Sequence, residues 1–376
     1  MSEADLLSQK IVAMDAWHCK VPVNARRDHG IGSVQGTIDV VVVRLTCESG
    51  LQGYGEASPW PVFCGTAEGC MAAFNRYFVP HVIGAPVANL TSIVRTCEKA
   101  VVHSSDAKAA LETALLDLTG KILKLPVHAL LGGKVRDHIP LSVSIANPEF
   151  DQDKALAKRI YDDGVRVVKV KTGFKDHAFD VMRIEWLKKQ FPDFTVRVDY
   201  NQGLEPYDSL RKLKDIDALG VSFIEQPVAA RHWHCMRELR KSIDTPLLAD
   251  ESVFSPTDMV RAINEEICDA VSIKIMKCGG LVRGREIAAI AEAAGLAAYG
   301  GDMFETGLAH LAGVHMIASS PNISLGCEFY QATYYLKEDL LCEPFPLENG
   351  HVVVPNTPGL GVSVDDERIQ KYAQSS

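Results

Sequence analysis

The pattern of apolar and polar positions changes character near Ile139. From there to about Leu325, short β-branched runs alternate with segments of helical period. The β runs are Pro140–Ile145, Val165–Lys171, Thr195–Asp199, Val221–Glu225, Pro246–Asp250, Ala270–Lys274, Ala297–Gly301 and Ile323–Glu328. Between two of them, Ile287, Ile290, Ala291 and Ala294 mark one face of a helix from Gly284 that Gly295 stops. Strands separated by helices build a parallel sheet, and a set of this number fits an α/β barrel better than an open sheet.

The chain before Ile139 reads as α+β. Ile38–Thr46 predicts a strand, Ser49-Gly50 a turn, and Gln52–Glu56 the returning strand. Residues 23–36 and 57–70 form two polar, glycine- or proline-bearing loops, and long loops in a compact domain are usually functional. Asp106 reads as the cap of a helix whose apolar face is Leu111, Leu115, Leu118 and Ile122. The end of the chain, with Gly350–Val354 and Pro358-Gly359-Leu360-Gly361, is not barrel-like and is expected to pack back on the first domain. The resulting division is 1–137, 138–340 and 341–376.

Five charged residues recur along the alternating region, each beside a β run. They are Lys171, Asp199, Glu225, Asp250 and Lys274, at steps of 28, 26, 25 and 24 residues. A strand, a helix and two loops take about 30 residues. In a β/α barrel the C-terminal strand ends meet at one face, where active sites lie. The spacing therefore predicts two amines and three carboxylates around one cavity.

Three unpaired carboxylates in one cavity raise each other's pKa, and a hard divalent cation with oxygen ligands, Mg²⁺ or Mn²⁺, removes that conflict. Each acid alone reads equally well as a solvent-facing strand end. Lys169 and Lys171 share one face of a strand, so each is expected to lower the other's pKa and leave Lys171 able to act as a neutral base. A solvated Lys-x-Lys edge is the alternative. Lys274 would enter from across the cavity, and a metal-bound substrate carboxylate would become an enolate when its α-proton leaves.

Composition narrows the classes. The 376-residue chain is 47% hydrophobic and 23% charged, with a net charge of −9 and no basic block, which argues against a nucleic-acid partner. No apolar run approaches the ~18 residues of a membrane span, and Met1–Lys10 lacks the pattern of a secretory leader. Ten scattered cysteines without a Cys-x-x-Cys are expected to be reduced and mostly buried, in the cytoplasm.

The chain resembles the enolase superfamily and, within it, the muconate cycloisomerase subgroup. The resemblance lies in Lys169-Val-Lys171, Val198-Asp199-Tyr200-Asn201-Gln202, Glu225-Gln226-Pro227, Ala249-Asp250-Glu251-Ser252, Lys274-Ile-Met-Lys277-Cys-Gly-Gly280 and Tyr299–Glu305, and it runs nearly the whole length. It implies a (β/α)₇β barrel of the TIM type under an N-terminal α+β capping domain that the C-terminal tail completes. It also implies Asp199, Glu225 and Asp250 as Mg²⁺ ligands, Lys171 and Lys274 as acid/base groups with Lys169 beside them, a small-molecule carboxylate substrate and a homo-oligomer.

The expected reaction is a cycloisomerisation of the cis,cis-muconate/muconolactone type. The alternative is a racemase or epimerase acting on an amino acid derivative, such as an N-acyl amino acid, dipeptide or betaine, with one lysine on each face. The capping loops, Arg26–Thr37 and Ser58–Glu68, are expected to read the far end of the substrate, through Arg26, His29 and Trp60, with Asn201, Asp302 and Glu328 from the barrel. Glu328 matches a glutamate of the muconate enzymes. Asp302 departs from them: it stands where they tend to have a small hydroxyl residue, and it would favour an ammonium over a second carboxylate unless it turns away to the barrel rim. A metal-free barrel with a Schiff-base lysine and a non-catalytic binding protein are the remaining classes. His232-Trp233-His234-Cys235 imitates a metal motif but reads as the start of a surface helix.

Overall fold

A computed structural model describes residues 8–374. The first domain is built on a three-stranded antiparallel sheet in the order β1 (Ile11–Pro22), β4 (Thr37–Cys47), β5 (Gln52–Ala57). A small hairpin, β2 (Arg27–His29) and β3 (Gly32–Val34), interrupts it within the loop of residues 23–36. Val40–Val43 are all buried because β4 lies between two cores. Ile38, Val40 and Val42 join the core shared with the barrel, whereas Val41, Val43 and Leu45 face the helices of the domain.

The largest of those helices, Ser105–Leu123, buries Leu111, Leu115, Leu118 and Ile122 as expected. It crosses β5 at backbone contact: a Cβ on Gly55 would lie 2.0 Å from Ala110 O. Asp106 is not its cap. The helix begins one residue earlier, after Ser104 in the left-handed region (φ 45°), so Asp106 falls in the first turn and points inward, where Oδ1 accepts from Ala107 N.

The second domain opens with β6 (His138–Pro140) and then forms eight parallel strands. They are β7 (Ser142–Ile145), β8 (Val167–Lys171), β9 (Thr195–Asp199), β10 (Ile224–Glu225), β11 (Leu247–Ala249), β12 (Ala270–Ile273), β13 (Ala297–Gly300) and β14 (Ile323–Cys327), hydrogen-bonded in sequence order. A parallel bridge between Leu141 and Cys327 joins the last strand to the first. The result is the expected TIM-type barrel of α/β class. The helix placed from Gly284 begins earlier, at Leu281, and runs to Ala293.

The tail supports both domains. β15 (Leu347–Glu348) and β16 (His351–Val353) complete a sheet with β6. The helix Asp366–Tyr372 returns to the first domain, where Cys19 Sγ donates to Ile369 O (3.6 Å) and Gln374 N donates to His18 O (2.8 Å). All ten cysteines are free and seven are buried. Among the described residues no helix is long and apolar enough to cross a membrane.

Candidate active site

Strand register sets the site. Lys171 pairs with Asp199 across β8 and β9, and Asp199 with Glu225 across β9 and β10. Glu225 pairs with Leu248, so Asp250 emerges two residues further along the next strand. Lys274 follows the end of β12, four strands from Lys171 and therefore opposite it in an eight-stranded ring. All five side chains are buried, with exposures from 0% to 6%.

The turns beyond these strands are held by their own side chains. Asn201 and Gln226 adopt positive φ (41° and 32°), which bends the chain away at the strand ends. Gln226 Oε1 accepts from Asp250 N (3.0 Å) and its amide donates to Val228 O and Ser252 Oγ, tying two strand ends together. Beneath Lys171, Arg183 donates to its carbonyl (2.6 Å) and to Asp180 (2.8 Å).

The acids and amines are interleaved. Lys171 Nζ lies 2.7 Å from Asp199 Oδ2, Lys169 Nζ 2.8 Å from Glu225 Oε2, and Lys274 Nζ 2.7 Å from Asp250 Oδ2. Lys277, one turn after Lys274, adds a 2.7 Å contact to Asp250 Oδ1. Burial raises Glu225, and Asp199 beside it raises it further, to about 7. Burial with Asp250 and Asp199 lifts Glu251 to about 8. Asp250 is held low, because Lys274 and Lys277 outweigh its burial.

The expectation that Lys169 and Lys171 would depress each other does not hold for Lys169. Burial opposes its charge, but Glu225 and Glu328 outweigh burial and push its pKa well up. Glu328 itself is drawn down to about 2, since Lys169 and Lys171 overcome its burial.

Among the described residues, no three acid, histidine or cysteine side chains are already closed around a common point as a formed metal centre. The donor set nevertheless fits a hard cation. It is all oxygen, it comes from three neighbouring strand ends, and Glu225 Oε1, Glu251 Oε2 and Asn201 Oδ1 are buried without a hydrogen-bond partner. Mutual repulsion among these acids is the electrostatic signature a divalent ion relieves.

Above this layer is a narrow cavity of about 30 Å³. Lys171, Lys274 and Asn201 line it, as do Asp302, Glu328, His29 and Trp60. Arg26 does not. It is half-exposed and pairs with Asp28 (2.8 Å), while Arg27 takes the inward position, donating to Ser144 O and lying over the rings of Tyr330 and Tyr335. Asp302 does not turn to the rim; it is 7% exposed and accepts from Gln331 Nε2 (3.0 Å). The His232–Cys235 segment opens a helix on which His234 contacts Arg237, and none of its residues lines the cavity. Sequence reading assigned no site role to Glu251 and Lys277, which stood only within motifs, nor to Phe63, Phe304 and Gln331, which line the cavity. Lys277 was signalled by standing one helical turn after Lys274; the others carry no spacing signal.

Comparison with known proteins identifies the family. Residues 9–132 match the N-terminal domain of mandelate racemase/muconate lactonizing enzyme, and residues 152–368 match the enolase C-terminal domain-like family. The chain belongs to the muconate cycloisomerase subgroup of the enolase superfamily.

Its relatives in this superfamily include muconate cycloisomerase 1 of Rhodococcus opacus, 30% identical over 97% of this chain and 99% of the relative. L-Ala-D/L-Glu epimerase of Bacillus subtilis is 32% identical over 94% and 96%. The crystal structure of muconate lactonizing enzyme from Pseudomonas fluorescens complexed with muconolactone superposes with a TM-score of 0.93 at 30% identity, covering 98% and 100% of the two chains. That of a muconate cycloisomerase from Azorhizobium caulinodans gives 0.85 at 40% identity, covering 97% and 99%. The chain is an isomerase of this superfamily, whose members generally depend on a divalent metal.

Proposed function

We propose that this isomerase moves the proton α to a substrate carboxylate, with Lys171 and Lys274 as the groups that remove or return it. The observation that carries this reading is the placement of two buried lysines on opposite sides of one cavity, over three carboxylates from consecutive strands. Asp199, Glu225 and Asp250 would hold the metal, Mg²⁺ by preference and Mn²⁺ by similar ligand chemistry. Such an ion supplies Lewis acidity at the substrate carboxylate and makes the α C–H more acidic.

The chain's own residues do the rest. Lys171, anchored through its carbonyl by Arg183, faces one side of the α-carbon, and Lys274 the other. Glu225 and Glu328 hold Lys169 cationic, so it serves as a fixed charge beside Lys171 and not as a base. Trp60 and Phe63 of one capping loop and His29 of the other cover the cavity and exclude water.

A cycloisomerisation of the muconate/muconolactone type is the first reading, supported by the relatives and by Glu328. Racemisation or epimerisation of an amino acid derivative is the second, favoured by the diametric lysine pair, because inversion at one carbon needs a proton acceptor and a donor on opposite faces. Free, mostly buried cysteines support a reducing cytoplasmic setting, and the family resemblance supports a homo-oligomer.

The test is α-deuterium incorporation in ²H₂O, followed by ¹H NMR with and without EDTA, over cis,cis-muconate and a set of amino acid derivatives. Loss of the conjugated-diene absorbance identifies cycloisomerisation, and a change of optical rotation identifies inversion. Turnover that survives both EDTA and the double substitution Lys171→Ala/Lys274→Ala would sink the reading.

A further inference from the structure

The capping domain reaches the cavity wall through one carboxyl group. Glu56, near the end of β5, is 1% exposed, and its hydrogen-bond donors are neutral groups from two different segments. Its Oε1 accepts from Ser58 Oγ (2.7 Å) and from Thr306 N (2.9 Å), and its Oε2 accepts from Thr306 Oγ. Ser58 opens the capping loop that carries Trp60 and Phe63. Thr306 ends the segment after β13 that carries Asp302, Met303 and Phe304. All of these carried residues line the cavity, whereas Glu56 does not.

Neither segment can leave Glu56 cheaply. Thr306 also caps the helix Gly307–Ala318, where its Oγ accepts from Leu308 N (3.3 Å), so its side chain cannot turn away without uncapping that helix. Burial raises the Glu56 carboxyl to about 7; the Thr306 and Ser58 donors oppose that rise and Asp339 adds to it. Loss of one donor leaves a buried acceptor short of a partner, which costs more than a single exposed bond. On the barrel side Gln331 holds the middle of the wall segment: its Oε1 accepts from Glu305 N (2.5 Å), and its Nε2 donates to Met303 O (2.7 Å) and Asp302 Oδ2 (3.0 Å). The two segments meet again at the cavity, where Trp60 and Phe304 stand edge to face with centroids 5.2 Å apart.

We propose that Glu56 is a positioning residue that couples the capping loop Ser58–Glu68 to the wall segment Asp302–Thr306, so that the two order as one unit around the substrate. One carboxyl group shared by both segments makes their release cooperative: opening either strands the donors of the other. Its effect on the reaction passes through Trp60, Phe304 and Asp302, which face the cavity. The coupling assumes no substrate; its consequence for turnover rests on the α-proton-transfer reading.

Amide hydrogen exchange read by mass spectrometry tests it on the full-length, magnesium-loaded protein and its variants Glu56→Leu, Thr306→Val and Thr306→Ser. Each of the first two should speed exchange at least about tenfold in residues 57–66 and 301–308 together, and Thr306→Ser, which keeps the hydroxyl, should restore wild-type protection. The barrel strands β8 and β9 should exchange as in wild type. With cis,cis-muconate or the amino acid derivative that wild type turns over, Thr306→Val should raise KM at least about tenfold and leave kcat within about threefold. Loosening of one segment alone, or of neither, overturns the coupling. Equal loosening of β8 and β9 in both variants, or a kcat that falls at constant KM, reduces Glu56 to a structural contact. Joint loosening in a protein that exchanges no α-proton keeps the coupling and counts against the proton-transfer reading alone.

Discussion

Lys169 Nζ lies 2.5 Å from Glu328 Oε2, a bond that ties the second barrel strand to the residue following the eighth. The same ammonium is 2.8 Å from Glu225, so one cation neutralises two acids in a fully buried setting. Lys169→Met therefore leaves two buried carboxylates short of a counter-charge. Loss of one partner of a buried pair costs about 3–5 kcal/mol. The urea midpoint should fall by that equivalent with an unchanged slope, and the double variant Lys169→Met/Glu328→Gln should recover part of the loss.

The oxygen set of Asp199, Glu225 and Asp250 should report its cation through stability. An ion that binds the native state alone adds about 2.7 kcal/mol at a hundredfold excess over its Kd. Melting temperature should rise with Mg²⁺ concentration, and Glu225→Gln should flatten that rise. A melting curve indifferent to Mg²⁺ and Mn²⁺ in the unmodified protein would remove the metal from the site.

Gly30 sits at the tip of the β2–β3 hairpin, where a Cβ would lie 2.1 Å from Tyr200 O and 2.7 Å from Gly203 Cα. The hairpin closes on the turn just past the Asp199 strand, so Gly30→Ala should lift it from the barrel. Overpacking of this kind costs about 1–3 kcal/mol, which an opened hairpin escapes. The expected outcome is a KM raised about tenfold or more with the unfolding midpoint nearly unmoved. A lowered midpoint with unchanged KM would show the hairpin to be structural only.

Glu112 of the capping helix accepts from Val282 N (3.1 Å), at the start of the barrel helix Leu281–Ala293. Burial raises its pKa to about 7, against the lowering effect of those backbone bonds. The native state thus holds a proton that the unfolded chain releases near 4.5. The stability this contributes is complete below about pH 4.5 and is lost as pH rises to about 7. Glu112→Gln does not titrate, so the stability of wild type relative to the variant should decline across that interval. A difference independent of pH would mean Glu112 is ionised in the native protein.

Much of this architecture was legible because a parallel barrel imposes a repeat. The β runs from Ser142 to Cys327 fell where strands formed, and regular spacing placed Lys171, Asp199, Glu225, Asp250 and Lys274 on one rim. β1 was illegible, because Asp15, His18 and Lys20 interrupt its apolar positions and most of its residues are only half-buried. The inward turn of Arg27 in place of Arg26 was equally hidden, since two adjacent arginines in a loop carry no periodic signal. The direction of Lys169's shift depended on Glu328, which is distant in sequence and adjacent only once the ring of strands has joined.

The tail helix Asp366–Tyr372 and the residues after it complete the edge of β1, with Cys19 and Ile369 bonded across 350 positions of chain. During translation, the first strand leaves the ribosome long before its cover exists. That sheet edge must wait for a segment made some 350 residues later, so a nascent chain stalled within the barrel would show a bare strand to chaperones and proteases.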